Sequence, residues 1–129
     1  MKLMNKIRSQ GIPIWVSIYA LITFLMGTIF GLSALFNPSN AVNYVAGADA
    51  LAASWAGRNL GIGLGTGVAV FMRSRAALTI VFIGALFREI GDLISVIPTG
   101  QTGMIVFVVV FLALDVIALI LCIGSQRKQ

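Results

Sequence analysis

Residues 76–97 read AALTIVFIGALFREIGDLISVI, an apolar run with Arg88, Glu89 and Asp92 set inside it. About 20 such residues span the ~30 Å hydrocarbon core of a bilayer. A charge at the centre of a membrane helix costs roughly 2.5–3.5 kcal/mol even on the lenient insertion scale. Three charges in one segment therefore need partners, and an ionisable residue in such a place is by default a site with a partner to be named. Helical spacing offers some. Arg88 and Asp92 are four apart and are expected to pair along one face, with Glu89 and Asp92 three apart on an adjoining edge.

Working outward, three more apolar segments run over residues 12–36, 50–72 and 104–123. The whole chain of 129 residues is 59% hydrophobic and 10% charged, with mean hydropathy +1.02. Soluble domains carry about 25% charged residues. The expected fold is all-α, a four-helix transmembrane bundle forming one membrane domain over residues 1–129. A cleavable signal peptide is not expected, because the first segment is too long for a signal h-region and no small-residue cleavage site follows it closely. The connection from Asn37 to Asp49 holds Val42, Tyr44 and Val45 and is expected to lie on the membrane surface.

The net charge of +5 would suggest nucleic acid in a soluble protein. Here Lys2, Lys6, Arg8, Arg73, Arg75, Arg127 and Lys128 all fall on one side of a chain that crosses four times. This places both termini in the cytoplasm of a multi-pass protein, most naturally in a bacterial inner (plasma) membrane, with lipid rather than nucleic acid as the partner. Trp15 and Tyr19 would then anchor at the inner interface and Trp55 at the outer one. The chain has no His and one cysteine, Cys122. The commonest transition-metal ligand is thus absent and no internal disulfide can form. No cofactor is expected.

Arg58 lies in the second segment and Asp115 in the fourth. At 1.5 Å per residue, Arg58, Arg88, Glu89, Asp92 and Asp115 all fall roughly 8–16 Å below the outer surface. A shared depth suggests one polar cluster inside the bundle, with Arg58, Asn59 and Asp115 closing a ring around the third segment. Arg58, Asn59, Arg88, Glu89, Asp92 and Asp115 are the candidate ligand-binding residues, and Glu89, Asp92 and Asp115 the candidate acids and bases. Two positive and three negative charges leave one carboxyl over, which must be protonated or hold a ligand group. Asp115 is the expected one, being deepest and without an arginine within a turn of its own helix. A hard cation could use the three carboxylates, but the two arginines already neutralise the cluster, so no metal site is expected.

Ala53, Gly57, Gly61, Gly65 and Ala69 recur every four residues in the second segment, and Gly27 and Gly31 do so in the first. Small residues at this spacing let membrane helices approach closely. They are expected to form a packing seam within the bundle or between copies in a homo-oligomer or larger membrane complex. The glycines at 61, 63, 65 and 67 are not a nucleotide loop, since no strand precedes them and no phosphate-binding lysine follows.

Leu35-Phe36-x-Pro38, Arg58-Asn59-Leu60-Gly61-x-Gly63 and Arg88-x-x-x-Asp92 resemble the small four-helix membrane proteins of the DoxX-like superfamily, closest to its uncharacterised bacterial branches. The resemblance covers most of the chain from the first segment onward. It implies a four-helix bundle with inward polar residues, and carries over Arg58, Gly61, Arg88 and Asp92. It implies no particular reaction. The leading functional expectation is an accessory or lipophilic-ligand-binding membrane protein. One alternative is a membrane-embedded acid/base enzyme, of isomerase or hydrolase type, acting on a lipophilic substrate. A second is a proton-coupled transporter, which the lack of acidic residues in the inner half disfavours. Beneath all three lies a charge network that only fixes helix packing.

Overall fold

The computed structural model describes residues 11–41 and 49–124, which hold four α-helices and no strand. They are α1 (Ile14–Phe36), α2 (Asp49–Phe71), α3 (Arg75–Val96) and α4 (Thr102–Gly124). Short 3-10 turns, Pro38–Asn40 and Ile97–Thr99, follow α1 and α3. Two of the helices, α1 and α4, are long and apolar enough to cross a membrane. The flanking basic residues Lys2, Lys6, Arg8, Arg127 and Lys128 lie outside the described residues, as do Val42, Tyr44 and Val45.

Local chemistry accounts for the helix ends. Pro13 precedes α1 with φ −57° and ψ 138°, an extended geometry from which the helix can start without losing a needed donor. After α2 the chain turns through Arg73 in the left-handed region, at φ 53°. The Ser74 side chain then accepts from the Ala77 N–H and caps α3. Gly100, at φ 68°, closes the turn between α3 and α4, where a side chain would be strained. The Arg75 guanidinium donates to the Gly11 carbonyl, tying the start of the described chain to the α2–α3 turn.

Contacts concentrate within the hairpins α1–α2 and α3–α4. They are sparser between α2 and α3, and few join α1 to α4. The α1–α2 seam is set by glycine. A methyl group placed on Gly27 would lie 2.9 Å from both the Asn59 carbonyl oxygen and the Gly63 Cα, and one on Gly63 would lie 2.8 Å from the Thr28 nitrogen. Gly31 meets Ala56 and Leu60, and Gly67 seats the Phe24 ring.

Within the bundle, the seam on α2 does not follow the every-fourth stripe. Gly57 and Gly61 face open space, Ala53 is exposed, and Gly65 touches only Val81 at ordinary contact distance. The buried line instead runs through Ala52, Ala56, Asn59, Gly63 and Gly67. The reason is geometric: a step of four residues overshoots a 3.6-residue turn by about 40°, so a strict every-fourth series rotates roughly 160° between Ala53 and Ala69. Ala69 consequently reaches the core while Ala53 does not. On α1, Gly27 and Gly31 are both in the seam.

At the end of the bundle holding the α2–α3 turn, all four helices close on an apolar plug that includes Val16, Ala20, Ala69, Leu78, Phe82, Ala118 and Cys122. Cys122 is a fully buried part of that plug. Toward the opposite end the hairpins part around a cavity.

Candidate functional site

The cavity has a volume of about 710 Å³ and draws walls from every helix. One side is apolar, formed by Met26 and Phe30 of α1 with Phe107 and Phe111 of α4. The rings of Phe107 and Phe111 lie 4.7 Å apart. The other side is polar and comes from α2 and α3: Arg58, Asn59, Arg88, Glu89 and Asp92 all line it. Trp55 lines the same space, so it faces inward as well as outward.

Arg58 of α2 reaches across to Asp92 of α3, its Nη2 donating to Oδ1 at 2.5 Å. Side-chain exposure is 37% for Arg58 and 22% for Asp92, so this pair is only partly shielded. Arg88 does not pair with Asp92 as its spacing suggested. Its guanidinium folds onto the neighbouring Glu89, with Nε donating to Oε1 at 2.9 Å and Nη2 donating to the same oxygen. Adjacent residues on a helix do not ordinarily face one another. Here Asp92 is occupied by Arg58, and Glu89, with 5% of its side chain exposed, is the buried carboxylate still needing a cation. Asn59 is buried and donates its amide to the Trp55 carbonyl at 2.9 Å.

Asp115 lies outside the cavity wall, at the boundary with the apolar plug. It is fully buried and forms no ion pair among the described residues. Its Oδ1 accepts from the Tyr19 hydroxyl of α1 at 2.7 Å, while its Oδ2 has no hydrogen-bond partner. Arg88 is near enough for its charge to act on it. The expected closure of the ring between Arg58 and Asp115 is therefore replaced by two separate bridges, Arg58–Asp92 and Tyr19–Asp115. The carboxyl without an arginine is Asp115.

Tyr19 is not the interfacial anchor that its position near a helix end suggests. It is 6% exposed, stacked on Phe82 with ring centroids 5.9 Å apart, and committed to Asp115. A signal for this existed. Val16, Ala20, Thr23, Gly27, Gly31 and Ala34 mark one buried face of α1 at steps of three and four, and Tyr19 adjoins it. Met26, Phe30, Phe107 and Phe111 gave no such signal, because a large apolar residue in an apolar helix reads alike whether it meets lipid, core or ligand.

Glu89 and Asp92 share one wall and could exchange protons with a bound molecule, with arginines beside them to offset negative charge. Among the described residues there is no cluster of three or more metal-ligating side chains. No family model, curated protein or solved structure matches this chain.

Proposed function

We propose that this chain is a multi-pass membrane protein, a four-helix transmembrane bundle with both termini cytoplasmic in a bacterial inner membrane. Its cavity binds a lipophilic small molecule with a polar head. In kind it is a DoxX-like protein, a reading that rests on the short motifs around Phe36, Arg58 and Arg88.

Several observations support insertion. Phe36, Leu51, Phe71, Ile80 and Phe87 are each at least 70% exposed, on helices whose exposed residues are mostly apolar. A water-soluble monomer rarely exposes contiguous apolar surface beyond a few hundred Å². In a bilayer the same surface meets its natural solvent, and the helices satisfy their own backbone groups. Thr23, Thr66 and Thr79 likewise donate to carbonyls four residues back, so their hydroxyls are satisfied internally.

One observation carries the binding role: a single cavity joins an aromatic and methionine wall to a wall of paired, partly buried charge. Its volume lies inside the ~300–1,000 Å³ usual for small-molecule sites. A network serving only to fix packing would be expected to close on itself, leaving no space between hairpins. The presence of Glu89 and Asp92 on the cavity wall favours acid/base catalysis as the second reading, with the same ligand class as substrate. The apolar plug counts against transport, since it closes the described bundle on one side of the cavity.

Native mass spectrometry of gently extracted protein tests the binding role. An amphiphile should co-purify with the wild type and be lost when a cavity wall residue is enlarged, as in Met26→Trp. Its absence from the wild type would count against the proposal. Cysteine labelling tests orientation: cysteines introduced at Ser39 and Thr102 should react from outside, and one at Ser74 only after permeabilisation.

A further inference from the structure

The charges on the cavity wall point to the kind of head the ligand carries. Arg58, Arg88, Glu89 and Asp92 sum to zero, and each arginine is matched to its own carboxylate, Arg58 to Asp92 and Arg88 to Glu89. An anionic head would have to take an arginine from its partner and strand a carboxylate beside it. A cationic head would strand an arginine. Either exchange leaves a poorly shielded charge, which is costly in a largely apolar enclosure.

The hydrogen-bond inventory asks instead for an uncharged group that both accepts and donates. Arg58 Nε is buried and has no acceptor. The ion pairs use Oδ1 of Asp92 and Oε1 of Glu89, leaving the second oxygen of each carboxylate able to accept. A hydroxyl satisfies both needs, accepting a hydrogen bond from the Arg58 Nε–H and donating its own to a carboxylate.

The route of access follows from the other wall. Helices α1 and α4 are neighbours that touch at few points, and Phe30 and Phe107, which line the cavity from that side, are 46% and 45% exposed. A chain lying between them would run from the polar wall outward to the lipid-facing surface. We infer that the ligand is an uncharged, hydroxyl-bearing amphiphile of the bilayer, held by its head between Arg58 and the cavity carboxylates, with its chain leaving between α1 and α4. This inference rests on the binding role proposed above.

Trp55 on the cavity wall and Trp15 at the plug provide the test. Trp15→Phe protein in lipid nanodiscs, with Trp55 as its sole tryptophan, excited selectively, is titrated with three amphiphiles sharing one dibrominated chain. Their heads are glycerol, sulfate and trimethylammonium. The glycerol probe should quench Trp55 saturably, be displaced by its unbrominated form, and bind about tenfold tighter than either charged probe, the value of one charge-assisted hydrogen bond. Asp92→Asn frees Arg58 and should shift preference toward the sulfate by about the same factor. Glu89→Gln frees Arg88 and should shift it likewise, so the inference does not hang on the folding of one variant. Equal or tighter binding of a charged probe to the wild type would overturn the neutral-head assignment and leave a binding cavity standing. So would the absence of any sulfate gain in both variants. If no probe quenches saturably, the binding role itself fails.

Discussion

The α1–α2 hairpin is held together by one kind of contact and, away from the apolar plug, is joined to α3–α4 by another. Within α1–α2, Gly27 and Gly63 bring the backbones so close that a methyl group has no room. Between the hairpins, polar side chains do the joining at a distance. Arg58 reaches Asp92 on the α2–α3 side, and Tyr19 reaches Asp115 on the α1–α4 side. Close backbone contact excludes volume, whereas a long side chain with a partner at its tip spans a gap. The cavity lies where the second kind of contact prevails.

The sharpest way to break the first kind is Gly63→Val. The added carbons would meet the Thr28 backbone, so the seam must part. A loss of about 3 kcal/mol, the upper end for overpacking, is expected as a large fall in Tm in detergent. Unchanged Tm would mean that the seam is not as tight as drawn.

Of the two bridges, Tyr19–Asp115 is the more deeply buried and should matter more. Tyr19→Phe leaves Asp115 with no hydrogen bond and should cost about 2 kcal/mol. Adding Asp115→Leu should return part of that loss, because the stranded polar group goes with it. Strictly additive losses in thermal unfolding would refute the coupling.

Arg58→Leu should cost less, about 1 kcal/mol, because the pair with Asp92 is partly exposed and such pairs are weak. Its loss should be coupled to Asp92→Leu and independent of Asp115→Leu, since Arg58 contacts the first and not the second. A cycle showing the reverse would restore the ring in which Arg58 and Asp115 meet.

The smallest effect is expected at Gly57→Ala. Nothing lies within 4 Å of the added carbon, so Tm should change by no more than about 0.5 kcal/mol equivalent. In combination with Gly63→Val it calibrates the comparison: two glycines on one helix, one in the seam and one facing away. A large loss at Gly57 in nanodiscs but not in dilute detergent would instead locate a contact between copies.

The composition and the four apolar segments determine an all-helical chain, because long uninterrupted runs of apolar residues leave few other ways to satisfy the backbone. Arg58, Arg88, Glu89 and Asp92 could be placed near one another from depth alone, because rise per residue is a property of the helix and needs no partner. Pairing was not legible in the same way. Whether Arg88 takes Asp92 or Glu89 depends on Arg58 arriving from another helix, and that depends on how α2 is rotated. Rotation in turn follows the Gly27–Gly63 contact, which an every-fourth stripe of small residues pointed about 160° away from. The same rotation turns Tyr19 from an interfacial aromatic into the donor for Asp115. It also leaves Met26, Phe30, Phe107 and Phe111 lining a cavity. One-dimensional periodicity gives depth and approximate face. Which face meets which neighbour is a matter of complementary shape, and only the packed structure decides it.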